Sequence, residues 1–378
     1  MTSTRRTAQH PVDMVLNHGT YCSPRCAEIL SDKLTRTSLR SYPLADNGDL
    51  KQALAEDAGV TPKNILVANG SGPILKSVIP FLIEGKMKQS PVRMARYLAK
   101  RLAYPIITTN HTYSKVPAGG VRVGLRCVLL PIAPEDGFKL SIAALEAQLR
   151  QRDGLVYLCN PNNPTGNVLI TREQLVPLLT RYPESIFFVD EAYVHYLDEG
   201  EHARIADLVP RYPNLVVLRS FSFAYGLAAV RVGYAACHED VVTRFEAKHT
   251  PHLVGQLATD LVTASLSDPD HLRFVREETS RERARLIEGM AVCDDVEVFP
   301  SRTNFLLCRT RGGWTGRRVH DELLARGVKV KVFEPFADER YTEYFRVTVG
   351  VPSENTYFLE QWRAAFAPKS ARPVTASV

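Results

Sequence analysis

Leu155-Val156-Tyr157-Leu158-Cys159-Asn160-Pro161-Asn162-Asn163-Pro164-Thr165-Gly166 sets the fold class of this chain. An unbroken run of apolar and aromatic residues is followed at once by a string of turn formers. Such a run suits a strand buried on both faces, as in a parallel sheet covered by helices. The turn string imposes an unusual backbone, and Asn163-Pro164 is a candidate cis bond. Asn64-Ile65-Leu66-Val67-Ala68, Ile186-Phe187-Phe188-Val189 and Leu215-Val216-Val217-Leu218 repeat the pattern, each ending in polar or Gly/Pro residues. Helix-like segments such as 172–179 lie between the runs. The alternation is that of an α/β protein with a mostly parallel, doubly wound sheet.

Outward from this core the texture changes near residue 250. A long charged helical stretch over 271–288 leads to the shorter runs Val296-Glu297-Val298-Phe299, Asn304-Phe305-Leu306-Leu307 and Phe345-Arg346-Val347-Thr348-Val349. These predict a smaller α+β domain. The expected division is a large domain over 43–250, a small one from 1–42 with 251–366, and a disordered tail over 367–378. Residues 84–104 include a basic stretch, 93–102, that reads as a surface helix with a narrow apolar stripe.

At 378 residues the chain exceeds one mid-sized core. Its net charge of +6 is spread along the sequence among Asp and Glu, with no interleaved basic and aromatic signature for nucleic acid. No apolar run has the length to span a bilayer. The first thirteen residues lack the apolar core of a secretory signal. The cysteines are 7 in number and scattered, which predicts reduced thiols in a cytoplasmic protein and no zinc site.

Several motifs carry chemistry. Asn69-Gly70-Ser71 stands between a strand and an apolar helix beginning near Pro73, where backbone N–H groups and the Ser71 hydroxyl can cradle a phosphate. Asp190-Glu191-Ala192-Tyr193 ends a strand, and a buried carboxylate there needs a partner such as a pyridinium N–H. The Asn163 amide and the Tyr193 hydroxyl can both donate to a phenolate oxygen. Ser220, Ser222 and Arg231 add hydroxyls and a bidentate, charge-assisted phosphate ligand. Arg346, alone within a strand, calls for an anionic partner, with a substrate carboxylate the natural candidate.

Together with Ser220-Phe221-Ser222-Phe223-Ala224-Tyr225-Gly226-Leu227-Ala228-Ala229-Val230-Arg231-Val232-Gly233, these motifs resemble the fold-type-I pyridoxal-phosphate aminotransferases (class I/II), and within them the histidinol-phosphate aminotransferase branch. The likeness runs from Leu16-Asn17 through Tyr42-Pro43 to the Gly350 region. It implies an aspartate-aminotransferase-like fold and a homodimer with shared sites. Tyr113 would stack on the pyridine ring, Asp190 would hold its nitrogen, and Asn163 and Tyr193 its phenolic oxygen. Gly70, Ser71, Ser220, Ser222 and Arg231 would bind the phosphate, with Tyr42 reaching the phosphate of the other subunit. Arg346 would bind the substrate carboxylate.

The chain departs from the family pattern in three places. Phe223 stands where the family carries the lysine that holds the cofactor. Gly72-Pro73 replaces the usual acidic pair, and Asn17-His18-Gly19-Thr20-Tyr21 replaces the substrate-gating string. A phenyl ring can neither hold an aldehyde covalently nor move a proton. Three readings follow. The protein binds pyridoxal or pyridoxamine phosphate non-covalently and acts on an amino acid or related carboxylate, with His18, Tyr21 or Tyr113 moving protons and ordinary transamination lost or strongly impaired. Alternatively, it is a cofactor-free lyase or transferase using the old anion cradle, or a catalytically silent binding protein. Asp190 favours the first, because a buried carboxylate there serves a pyridinium nitrogen.

Overall fold

The run Leu155–Cys159 is an interior strand of a seven-stranded sheet, and no residue in it is more than 1% exposed. The computed structural model describes residues 11–36, 47–89, 91–98, 104–122, 124–198, 204–249, 253–333 and 339–366. Tyr42 and the tail 367–378 lie outside the described residues, as does part of the basic stretch 93–102. Strands β1 to β12, numbered in chain order, form two sheets. The larger contains β2 (Ile65–Ala68), β3 (Ile106–Thr109), β4 (Cys127–Leu130), β5 (Leu155–Cys159), β6 (Ile186–Asp190), β7 (Leu215–Ser220) and β8 (Gly233–Cys237). Their order is β2-β8-β7-β6-β5-β3-β4, parallel throughout except for β8, which runs antiparallel to both its neighbours. β2, β3, β5, β6 and β7 therefore all deliver their carboxyl ends to one edge. Gly70-Ser71, Tyr113, Asn163, Asp190 with Tyr193, and Ser220 with Ser222 each lie at or just after one of those ends.

The second sheet has the order β1-β11-β12-β10-β9, from β1 (Val12–Met14), β9 (Val296–Val298), β10 (Phe305–Thr310), β11 (Val328–Val332) and β12 (Tyr344–Thr348). It is antiparallel apart from β1 with β11. Its core gathers Phe345, Phe358, Trp362, Leu286 and Met290. The fold is thus the expected α/β unit with a smaller α+β unit, but the division falls elsewhere, after Asn17 and after Glu277. Residues 18–36 and 253–277, expected in the small domain, belong to the large unit. The reason is helix packing: helix Gln256–Leu266 lies against both Pro24–Arg36 and Gly48–Ala58. Cys26 is buried there, its Sγ 3.2 Å from Ser265 Oγ. The cysteines are all free thiols. Among the described residues no helix is long and apolar enough to cross a membrane.

Candidate active site

The candidate anion cradle begins at Gly70. This residue caps helix Ser71–Lys88 at φ 94°, and no side chain caps the helix start. The first N–H groups of a helix have no intrahelical partner and sit at its positive end. Pro73 removes one of them, leaving those of Ser71 and Gly72. Arg231, itself left-handed at φ 59°, donates from Nη1 to Ala228 O at 2.9 Å. Its other nitrogen, Nη2, lies against Gly70, where an added Cβ would stand only 2.3 Å away. Gly233 closes the cradle from below: a Cβ there would meet Ser71 N at 2.6 Å. Across the sheet Gly233 pairs with Ser220. The Ser220 hydroxyl in turn accepts the Ser222 N–H at 3.2 Å. Gly70, Ser71, Ser220, Ser222 and Arg231 are therefore brought together around one helix terminus.

Further polar contacts gather at the ends of β5 and β6, the strands next to β7. Asp190, 4% exposed, accepts from the Tyr157 hydroxyl at 2.9 Å and the Ala192 N–H at 3.1 Å. Burial pushes its carboxyl up to about 6 against those two hydrogen bonds. Tyr157 was not read as part of the site from the sequence. The available signal was a phenol inside an otherwise apolar strand, whose hydroxyl must find a partner. Asn163 Nδ2 donates to the Tyr193 hydroxyl at 3.3 Å. Both Asn160-Pro161 and Asn163-Pro164 are cis. Asn162 ties this loop to the end of β3 through His111 O at 2.7 Å, just ahead of the half-buried Tyr113. Lys115 Nζ stands 5.9 Å over the Tyr113 ring. Phe223 is half-buried, and its ring stacks on Tyr193 with centroids 4.3 Å apart and planes at 22°.

The 18–23 segment is clamped to the loop that carries Phe223. Gly19 N–H donates to Ser222 O at 3.2 Å, and a Cβ on Gly19 would stand 1.9 Å from Phe223 O. Gly226, at φ 66°, presses on the same segment, with an added Cβ 2.1 Å from Tyr21 O. On its far side Tyr21 meets Phe274 edge-on at 5.2 Å, and Ser23 Oγ donates to Asp268 at 2.5 Å. His18 is exposed at the start of this segment. Gly226→Ala combines a left-handed backbone with a backbone overlap, and is expected to cost at least about 2 kcal/mol. Gly85→Ala, where a Cβ meets nothing within 4 Å inside a helix, should stabilise by a few tenths to about 1 kcal/mol. Urea midpoints of the two variants check both; equal midpoints would refute the clamp.

Arg346 lies in the smaller unit on β12. It is 7% exposed, donates from Nη2 to Val15 O at 2.6 Å and lies 5.0 Å over the Phe305 ring.

The family model described as aminotransferase class I and II matches residues 12–361. The chain belongs to that family. Curated relatives include histidinol-phosphate aminotransferase 1 of Thiobacillus denitrificans, 33% identical over 89% of this chain and 80% of the relative. Histidinol-phosphate aminotransferase 2 of Archaeoglobus fulgidus is 31% identical over 85% of this chain and 84% of its own. Among solved structures, histidinol-phosphate aminotransferase from Sinorhizobium meliloti, in complex with pyridoxal-5'-phosphate, superposes with a TM-score of 0.76 at 23% identity, covering 94% of this chain and 91% of that one. L-threonine-O-3-phosphate decarboxylase from Porphyromonas gingivalis does so with a TM-score of 0.74 at 24% identity, covering 93% and 98%. At these identities the structures share the fold-type-I architecture of the family.

Proposed function

We propose that the chain binds pyridoxal or pyridoxamine phosphate without a covalent bond and acts on an amino acid, a phosphate ester of one, or a related carboxylate. Lysine-dependent transamination is lost or strongly reduced. The observation that carries this reading is Asp190. Its side-chain partners are a phenol and an amide, neither of them cationic, and burial holds its carboxyl near 6. A protonated pyridine nitrogen supplies the missing cation. The uncapped helix start with Arg231 beside it suits a phosphate, and the Asn163–Tyr193 pair suits a phenolic oxygen. The residues present therefore fit the group.

Bound there, the pyridine ring would supply an electron sink for negative charge on the substrate. The chain's own side chains do the rest. Arg231 and the helix start would hold the phosphate, Asp190 would pair with the ring nitrogen, and Tyr113 would lie against the ring. Phe223 offers an apolar wall in place of an amine. Losing a positioned general base removes roughly 10²–10⁴-fold in rate. Proton transfer would then fall to His18, Tyr21 or Tyr113. Arg346 would hold the carboxylate, and a second subunit would bring its own Tyr42 to the phosphate.

Calorimetric titration with each cofactor form, between pH 5 and 8, tests the reading. Both forms should saturate one site per chain. Pairing with a pyridinium favours the ionised carboxyl, so below about pH 6 binding must expel the Asp190 proton. Affinity should then fall by up to about tenfold per pH unit from this group. Asp190→Asn should bind more weakly above pH 6 and lose that part of the pH dependence. Absence of binding by both forms at high micromolar concentration would leave the cradle to a phosphorylated substrate alone and sink the cofactor reading.

A further inference from the structure

Behind the anion cradle, on the opposite face of the large sheet, lies a buried cluster of charges that the chemistry above does not use. Arg219 Nε donates to Glu191 Oε2 at 2.8 Å, and its Nη1 reaches Asp57 Oδ2 and Asp57 O, both at 3.0 Å. The Tyr234 hydroxyl donates to Asp57 Oδ2 at 2.6 Å, and His195 Nε2 lies 3.4 Å from Asp57 Oδ1. Tyr225 meets the His195 ring edge-on at 4.9 Å. Glu191 Oε1 accepts the Ile205 N–H at 2.9 Å. Glu191, His195, Arg219, Tyr225 and Tyr234 are each at most 3% exposed. Burial works against the charged form of Asp57, but His195, Arg219 and the Tyr234 hydroxyl together hold its carboxyl well below the usual range.

The placement of these residues follows a rule. Successive residues of a strand point to opposite faces. Glu191 therefore backs Asp190, Arg219 backs Ser220, and Tyr234 backs Gly233. In the two loops the spacing is two: His195 follows Tyr193, and Tyr225 follows Phe223. The loops are pinned twice, by Tyr193 on Phe223 and by His195 on Tyr225. Asp190, Tyr193, Ser220, Phe223 and Gly233 thus each have a cluster member one or two positions away.

Stability alone does not account for such a cluster. Burying two carboxylates and a guanidinium costs solvation that their attraction only offsets, and apolar side chains of similar volume often hold a core as well or better. What apolar contacts lack is direction. The forked guanidinium accepts only particular positions for Glu191 and Asp57, and through them for the ends of β6, β7 and helix Gly48–Ala58.

We propose that the Asp57–Arg219–Glu191 cluster, with Tyr234, His195 and Tyr225, is a positioning device that sets the spacing of the anion cradle on the other face of the sheet. The proposal rests on the cradle reading above, and the experiment separates the two. The probes are pyridoxal phosphate and inorganic phosphate. The variants are Glu191→Gln, which keeps the shape, and the combined Asp57→Leu, Glu191→Leu, Arg219→Met, which replaces the charges by apolar side chains. Affinity, the phosphorus NMR shift of bound pyridoxal phosphate and the urea midpoint are measured on each. The combined variant leaves the buried Tyr234 hydroxyl, His195 and the Ile205 N–H without their acceptors, so its midpoint should fall, and where it is folded its affinity for pyridoxal phosphate should drop by about tenfold or more while the phosphorus signal moves. Should it fail to fold, Glu191→Gln carries the same expectation for affinity and signal. Wild-type affinity with an unmoved signal in either folded variant overturns the proposal, as does an affinity loss that merely tracks the midpoint. If the unaltered protein binds neither probe, the cradle reading falls and the positioning role with it.

Discussion

Phe223→Lys is expected to convert a protein that borohydride leaves unlabelled into one that borohydride joins covalently to pyridoxal phosphate. The Phe223 ring is half-buried on Tyr193, so the exchange forfeits a stacking contact of about 0.5–1.5 kcal/mol and leaves the fold standing. The introduced amine enters beside Tyr193, whose hydroxyl already accepts from Asn163 at 3.3 Å. Partial burial lowers an amine's pKa and raises its neutral, nucleophilic fraction near neutral pH. Condensation with the aldehyde then needs only the cofactor held by Asp190, Asn163 and the Arg231 cradle. The check is mass analysis of the peptide carrying residue 223 after reduction, with absorbance before it. Stoichiometric labelling is the expected result. A variant that binds the cofactor yet resists trapping would show that the site no longer presents the aldehyde to position 223. Labelling of the unaltered protein at Lys115, whose Nζ stands 5.9 Å over the Tyr113 ring, would transfer the missing role to that lysine.

Arg231→Ala should weaken binding of either phosphate-bearing cofactor by about a hundredfold or more. Charge-assisted hydrogen bonds contribute about 1.5–3 kcal/mol each, and a guanidinium makes two to one phosphate. The Nη1 bond to Ala228 O at 2.9 Å pre-orients the fork, so little side-chain freedom is lost on binding. Gly70→Ala should come close to the same loss without removing any charge. Gly70 sits at φ 94°, a conformation that L side chains avoid, and its Cβ would stand 2.3 Å from Arg231 Nη2. Either the guanidinium swings away or the helix start shifts. Because both changes act on one contact, the double variant should lose little beyond the worse single one. Calorimetry with pyridoxal phosphate decides it. Full additivity would mean that Gly70 and Arg231 act separately. Unchanged binding in Arg231→Ala would remove this residue from the cradle.

The large-sheet strands that sequence reading found share one property: apolar side chains on both faces over a short run, closed by residues with strong backbone preferences. β5, β6 and β7 are such strands, and the Asn160–Gly166 loop supplies the closing residues after β5. β3 and β8 escaped it. β3 reads Ile-Ile-Thr-Thr, whose hydroxyls break the apolar run. β8 reads Gly-Tyr-Ala-Ala-Cys, with no β-branched residue, and Gly233 is required there by the approach of Ser71. The change of texture near residue 250 was real but marked helices rather than a domain boundary. Which unit a helix joins depends on what it packs against, and Gln256–Leu266 packs against helices more than 190 residues earlier.

The site divides along the same line. Gly70, Asn163, Asp190, Ser220 and Arg231 could be named as candidates from sequence because each sits in a short string whose local chemistry is unusual. The Gly19–Gly226 clamp joins residues some 200 positions apart and leaves no local trace beyond two glycines. The Arg219 cluster was equally invisible, since a charged residue inside a strand does not say which face it takes or who meets it.

By itself the sequence determined that the chain is an α/β protein, that several of its family motifs follow the ends of predicted strands, and that residue 223 is a phenylalanine. These follow from local backbone preference and from the burial pattern of single segments. The tertiary structure decided what that ring does, stacking on Tyr193 with centroids 4.3 Å apart beside the proposed anion cradle. It also decided which charges stand behind the cradle. Both are contacts between segments far apart in the chain, and only the closed sheet, with its two faces, brings them into register.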